Sequence, residues 1–279
     1  MHPQLRKFFS VPPLRLFWRT LLRTLALAYV GLALFAAGCV NTMLFHPPPL
    51  RDPVPGQIKL PAADGNKITA VFLPNPKAAY VILYSYGNGE SLEHCHEFLD
   101  ELREHGWSVC AYDYPGYGTS TGKPTEAGCY AAINAVYDYL VKQRQIPPER
   151  IVLYGQSMGS GPTVDLASRQ PIGGLILHSA FLSVFRVVTH YRILPWDVFN
   201  NLGKIDRVKV PLLSIHGRAD TIVPFWQGQA LYNVYSGPKI CLWIPNAGHN
   251  DVLEAAPEEY WAALEQYRAG LPLKTSLNL

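Results

Sequence analysis

The chain has 279 residues, 48% of them hydrophobic and 16% charged, so it is long enough to bury one large core and too apolar for a disordered polymer. Its formal charge of +3 is unevenly spread: Arg6, Lys7, Arg15, Arg19 and Arg23 all precede Thr24, and without them 19 basic residues face 21 acidic ones. The remaining body is mildly acidic, which argues against nucleic acid as a partner.

From Thr24 to Phe45 no charged residue occurs, and the apolar stretch 25–37 follows directly on the basic segment. A spanning helix needs about 20 apolar residues, whereas an export signal needs about 7–15 before a small-residue cleavage site. This run falls between the two and is read as an export signal or a membrane anchor, with a buried N-terminal helix as the third reading. Ala36-Ala37-Gly38-Cys39 resembles a bacterial lipobox, which makes Cys39 a candidate for lipidation, although Ala36 stands where a branched residue is usual. Residues 1–45 are therefore expected to form a signal, lipoprotein or anchor segment. A proline-rich connector should occupy 46–56, because Pro47-Pro48-Pro49 through Pro55 favours a stiff extended chain. The folded domain is expected over 57–279.

That domain should begin with an antiparallel pair, 57–60 and 68–73, joined at Asp64-Gly65. Short apolar runs follow at 79–84, 108–112, 151–154, 174–177, 211–215 and 239–243, and near-continuous apolar strands imply a sheet buried on both faces. Helical stretches alternate with them at 91–105, 126–144, 158–170, 227–235 and about 251–269. Strands alternating with helices predict an α/β fold with a mostly parallel sheet, helices on both faces, and ligands at the carboxyl ends of the strands. The interval 183–209 lacks strand character and is expected to form a short cap, with Tyr191, Trp196 and Phe199 as candidates to cover the site. Cysteines stand at 39, 95, 110, 129 and 241. Cys110 and Cys241 fall in expected buried strands and are read as small buried hydrophobes rather than disulfide partners.

Chemistry concentrates around Gly155-Gln156-Ser157-Met158-Gly159, directly after the apolar run 151–154. In a G-x-S-x-G elbow the chain turns sharply from strand to helix, so Gly155 and Gly159 would keep side chains out of a crowded turn. Chance supplies this pattern in roughly one chain of this length in ten, so the context decides. A serine hydroxyl needs a base to take its proton and a carboxylate to hold that base, in the chain order serine, acid, histidine for this kind of sheet. Asp220 lies just beyond the run ending at Ile215 and His249 just beyond the run ending at Trp243, so both fall at strand carboxyl ends in that order. Ser157, Asp220 and His249 are the expected catalytic set. Asp113 is read as ordering the turn Tyr114-Pro115-Gly116-Tyr117-Gly118, and His216 as a packed structural histidine; His178 also follows a strand end, with a structural role as the first reading and an approach to the site as the second. His94 and His96, two apart on an expected helix, point to different faces. The two donors for an oxyanion are expected from the backbone N–H of Met158 and from Asn88 in Ser85-Tyr86-Gly87-Asn88-Gly89. No metal or cofactor is implied.

The stretch 151–169, together with DYPGYGTSTGKPTE, LHSAF, HGRADTIV and AGHND, resembles the membrane-attached α/β-hydrolase-domain proteins that act as protein depalmitoylases, and their bacterial relatives. The likeness covers about residues 80–268 and implies the α/β-hydrolase fold with Ser157, Asp220 and His249 as its triad. It also implies hydrolysis of a carboxylic ester or thioester through an acyl-enzyme, at a membrane reached through the N-terminal segment. Two departures stand out. The family usually has His where Tyr86 stands, and its eukaryotic members attach through a cysteine-rich palmitoylated N-terminus rather than one hydrophobic segment. A serine peptidase of the same fold and an inactive tethered binding module are the competing readings.

Overall fold

The computed structural model describes residues 14–49 and 53–272. Arg6 and Lys7, residues 50–52 of the connector and the end of the chain from residue 273 lie outside the described residues. The chain divides into two compact units after Leu44.

The first unit contains a single described helix, α1 (Leu14–Leu44), which is longer than the apolar core suggests and runs without interruption through Cys39. It is apolar enough to cross a membrane by length and composition, and none of its residues is buried. Thirty-one residues at 1.5 Å rise make a rod of about 46 Å. Leu27 is 73% and Leu34 69% exposed, an apolar surface that a water-facing helix does not retain cheaply.

The second unit is built on eight strands: β1 (Ile58–Pro61), β2 (Lys67–Leu73), β3 (Val81–Ser85), β4 (Ser108–Tyr112), β5 (Ile151–Gln156), β6 (Gly174–His178), β7 (Leu212–Gly217) and β8 (Lys239–Ile244). They form one sheet in the order β1-β2-β4-β3-β5-β6-β7-β8. β1 and β2 are antiparallel, and so is the β2–β4 pair; every other pairing is parallel. The helices are α2 (His96–Glu104), α3 (Glu126–Asp138), α4 (Ser160–Ala167), α5 (Val184–Thr189), α6 (Phe225–Val234), α7 (Val252–Ala255) and α8 (Pro257–Ala269). This is the α/β-hydrolase architecture that the sequence predicts. β3, β4 and β6 are buried at every residue, because helices cover both faces.

Three local expectations need correction. α2 begins at His96 rather than Ser91, because the Leu92 N–H is drawn to Asp113 Oδ1 (2.9 Å) and Ser91 Oγ pairs with His94 Nδ1 (2.8 Å), which fixes turns instead. His94 is therefore not on the helix. Cys241 is exposed, because β8 is the last strand of the sheet and is only partly covered. Phe199, expected to cover the site, is fully buried; its ring fills the space that the missing side chain of Gly161 leaves on α4. Tyr191 and Trp196 are 77% and 36% exposed, so the cap segment does present apolar rings to the outside. Among the described residues the cysteines are all unpaired, with Cys95, Cys110 and Cys129 buried.

Candidate active site

β5 ends at Gln156, and Ser157 opens a short 3₁₀ turn, Ser157–Gly159, that leads into α4. Ser157 has φ +50°, a left-handed conformation that costs an L-residue energy and is kept only where the surroundings enforce it. The surroundings are visible at the two glycines. A Cβ on Gly159 would run into the Ser85 carbonyl oxygen and fall 2.8 Å from that of Tyr86, while one on Gly155 would meet Gly159 O and Thr163 Oγ1 at 2.7 Å. The turn is thus wedged between the end of β3 and α4, with no room for a side chain at either position.

His249 follows β8 and Asp220 follows β7, and the sheet brings both to Ser157. His249 Nε2 lies 2.8 Å from Ser157 Oγ, and His249 Nδ1 lies 2.7 Å from Asp220 Oδ2. Because the carboxylate only accepts, Nδ1 carries the proton and Nε2 is left as the acceptor facing the serine hydroxyl. Asp220 is fully engaged: Oδ1 accepts from the N–H groups of Ile222 (2.9 Å) and Val223 (2.8 Å), which folds the loop around it. Burial alone would raise the Asp220 carboxyl. The hydrogen bonds from His216 and His249, the charge of His249 and the Val223 N–H outweigh burial and hold it well below the usual carboxylate range.

His216 does more than pack at a strand end. Its Nε2 is 2.9 Å from Val223 O and 3.2 Å from Asp220 Oδ2, so one N–H is shared between two acceptors and Asp220 has a histidine on each side. Its spacing of four residues from Asp220 across a strand end was the available signal. His178, by contrast, sits with Nδ1 3.0 Å from the Tyr154 hydroxyl and is pushed down from its usual 6.5 to about 3, chiefly by burial and by the neighbouring His249 and His216. It remains neutral beside the pair.

The loop after β3 is held by tyrosines. Tyr86, the departure from the family pattern, is fully buried, donates to Asp113 Oδ1 (3.0 Å) and accepts the Tyr114 N–H (3.2 Å), while the Tyr114 hydroxyl donates to Tyr86 O (2.7 Å). Its ring lies edge-on to Tyr114 at 4.7 Å. Asp113 therefore orders this loop as well as the following turn, where its carboxylate fills the space a Cβ on Gly118 would need. Gly87 donates its N–H to Glu90 Oε2 at 2.6 Å and approaches Ser157 closely: a Cβ on Gly87 would lie 3.6 Å from that of Ser157. Burial raises the Glu90 carboxyl, against the Gly87 hydrogen bond and the charges of His94 and His249. Asn88 lies in this loop with its side-chain oxygen accepting from Tyr117 at 2.6 Å. Met158 is buried at the start of the helical turn, where N–H groups lack intrahelical partners. Glu90, and the contacts that join Tyr86, Tyr114 and Tyr117 into one scaffold, escaped the sequence reading, because only the fold brings them together. Among the described residues no group of three or more His, Cys, Asp or Glu side chains is arranged to hold a metal ion. Cys39 lies in the body of α1.

A family model described as alpha/beta hydrolase fold matches residues 80–191. The alpha/beta hydrolase domain-containing protein aho-3 of Caenorhabditis elegans is 39% identical over 215 residues, covering 76% of this chain and 63% of that protein. The alpha/beta hydrolase domain-containing protein 17B of Homo sapiens is 40% identical over 192 residues, covering 67% of each chain. The match thus spans a little under two thirds of the nematode relative and just two thirds of the human one. Among solved structures, an esterase of Pyrococcus furiosus superposes with TM-score 0.69 at 20% identity, covering 80% of this chain and 97% of the other. An esterase of Exiguobacterium antarcticum gives 0.59 at 17%, covering 76% and 98%. At these identities the structural likeness speaks for the fold.

Proposed function

The chain belongs to the alpha/beta hydrolase domain-containing proteins, and from that premise we propose that it is a membrane-tethered serine hydrolase that cleaves carboxylic esters or thioesters through an acyl-enzyme. The observation that carries this reading is the relay from Asp220 through His249 to Ser157, at 2.7 and 2.8 Å, on a serine held at positive φ. Ser157 Oγ attacks the acyl carbon while His249 Nε2 takes its proton, and Asp220 steadies the imidazolium. The oxyanion of the tetrahedral intermediate is received by the backbone N–H groups of Met158 and Asn88. When the intermediate collapses, the proton on His249 passes to the departing alcohol or thiol. Water, deprotonated by the same histidine, then releases the acid and restores Ser157.

The substrate class is an acyl ester or thioester with an apolar acyl chain. Support comes from the exposed rings of Tyr191 and Trp196 on the cap and from the unburied apolar length of α1. We read α1 as an uncleaved membrane anchor. The relatives named above are eukaryotic, which lends no support to a bacterial lipoprotein, and α1 continues through Cys39. Arg15, Arg19 and Arg23 mark its basic, cytoplasmic end.

Labelling with an active-site fluorophosphonate tests the enzyme reading. Ser157 is modified in the folded protein and Ser157→Ala is not; an unlabelled wild type overturns it. Comparison of p-nitrophenyl esters of increasing chain length with an acyl thioester and an aminoacyl amide tests the substrate class, which fails if the amide is cleaved as fast. Intact-mass analysis of the membrane-extracted protein tests the anchor: a chain cut before residue 39, or a lipid on Cys39, overturns it.

A further inference from the structure

The two residues that follow α1 do not behave as part of a free connector. Phe45 is 5% exposed, and its ring stands edge-on to Phe199 at 6.2 Å. Phe199 in turn fills the gap at Gly161 on α4, one turn beyond the elbow, and its N–H is held by Glu126 Oε1 at 2.8 Å. His46 reaches the loop after β3. Its backbone N–H is shared between Asn88 Oδ1 and the Tyr117 hydroxyl, each at 3.0 Å, and its ring Nδ1 lies 3.0 Å from Asn88 Nδ2. An amide nitrogen only donates, so Nδ1 of His46 is the acceptor in that pair. Tyr117 closes the ring of contacts by donating to Asn88 Oδ1 at 2.6 Å. The Asn88 side chain is thus gripped by groups 29 and 42 residues away in the sequence.

The grip falls on a loop that needs one. Gly87 and Gly89 flank Asn88, and Gly89 has φ +81°, so the peptide on either side of Asn88 turns with little intrinsic resistance. An oxyanion donor has to lie within a few tenths of an ångström of its place before the reaction begins. Glu90 fixes the N–H of Gly87, before Asn88. The side chain of Asn88 is a second handle on this loop, and His46 and Tyr117 hold that handle.

Resting on the serine-hydrolase reading above, we propose that Phe45 and His46 are positioning residues that brace Asn88, so that the segment leaving α1 is a working part of the oxyanion hole. They touch no substrate. They act by keeping the Asn88 N–H aimed at the developing charge, which makes tethering and catalysis share the same two residues.

The test uses the full-length protein in detergent. Active sites are counted by fluorophosphonate titration, and kcat per titrated site and KM are measured with a p-nitrophenyl ester. Inhibition by an alkyl trifluoromethyl ketone, which adds Ser157 and presents an oxyanion, is compared with inhibition by the matching alkyl methyl carbinol, which does not. Loss of an oxyanion donor costs about 10²–10³-fold in kcat, so a loosened one is expected to cost about tenfold. His46→Ala and Tyr117→Phe each lower kcat per titrated site by about that factor and weaken the trifluoromethyl ketone in proportion, with KM and carbinol inhibition unchanged. His46→Asn, whose side-chain oxygen can stand where Nδ1 stood, restores both. Phe45→Ala gives the same signature more weakly. The proposal is overturned if these variants lose only titratable sites or thermal stability while kcat per site and ketone inhibition match the wild type, or if His46→Asn behaves as His46→Ala. If the wild type itself is not acylated on Ser157, the hydrolase reading falls first and takes this one with it.

Discussion

Two halves of one site converge on Ser157 and are braced by different chemistry. On the proposed hydrolase reading Asp220 and His249 form the acid–base half: its contacts are charge-assisted, run through side chains at the ends of neighbouring parallel strands, and hold the Asp220 carboxyl down. The loop half, from Tyr86 to Glu90, rests on neutral tyrosine hydroxyls and on two carboxyls, Asp113 and Glu90, that burial pushes up. One half is most stable with its carboxylate charged, while the other carries charge at a cost. Proton transfer needs a paired ion; on the same reading the oxyanion hole needs backbone N–H groups that do not move, and a network of buried hydrogen bonds is suited to hold them.

The sharpest way to break the comparison is to strike the acid–base half. Asp220→Asn keeps the shape but supplies a donor where His249 needs an acceptor, and is expected to lower kcat by about 10⁴-fold. Steady-state turnover with a p-nitrophenyl ester checks it, and a loss under tenfold would mean that another carboxylate serves. Next comes the joint between the halves. Gly159→Ala drives a methyl into the carbonyls of Ser85 and Tyr86, which are backbone and cannot step aside, so stability should fall by about 3 kcal/mol in urea unfolding.

In the loop half, Tyr86→Phe removes the hydroxyl that Asp113 and the Tyr114 N–H both use. Its expected cost is about 2 kcal/mol of stability, because the buried Tyr114 N–H loses its acceptor and Asp113 Oδ1 keeps only the Leu92 N–H of its two donors. Acid titration separates the halves by sign. His178 stays neutral down to about 3 in the folded protein and takes its proton at about 6.5 when unfolded, so the unfolded chain binds more protons across that window. Its contribution is complete above pH 6.5 and is lost as the pH falls, with a slope approaching about 1.4 kcal/mol per pH unit. Asp220 acts in the same direction at lower pH, below its usual 3.8. Glu90 acts in the opposite direction. Glu90→Gln keeps an acceptor for the Gly87 N–H but removes the buried charge, so it should raise the unfolding midpoint, and the gain should grow as the pH rises from below the usual carboxylate range to neutrality. A gain as large in acid, where the carboxyl is protonated in both states, as at neutral pH would mean the Glu90 charge is not what burial penalises.

The acid–base half was the legible one. Strand ends can be read from apolar runs, and the chain order of serine, acid and histidine then selects Ser157, Asp220 and His249 from the other polar residues at strand ends. The loop half resisted because its supports are distributed: Tyr86, Asp113, Tyr114 and Tyr117 meet only after β3 and β4 have paired, and no periodicity reports which hydroxyl will meet which carbonyl. His216 was visible but looked like packing, since its four-residue spacing from Asp220 does not say whether its N–H turns toward that carboxylate or into the core. Phe199 was misplaced for a related reason. An aromatic ring in a segment without regular structure reads as exposed until the hole at Gly161 is seen. The fold class survived these local errors because strand and helix alternation is a property of the whole chain, whereas the exposure of Cys241 depends only on which strand ends the sheet.

The pairing of β3 with β5 has a consequence in time. Synthesis delivers the chain from its N-terminus, and domains begin to fold as their elements emerge. Once β5 can dock on β3, the turn holding Ser157 has its walls, Ser85 and Tyr86 on one side and α4 on the other. The histidine that would make the serine reactive arrives 92 residues later, after β7 and β8 have been added. If Ser157 is the nucleophile proposed above, a ribosome-bound chain carries it unarmed until the domain is nearly complete, a delay written into the strand order that needs no inhibitory segment to enforce it.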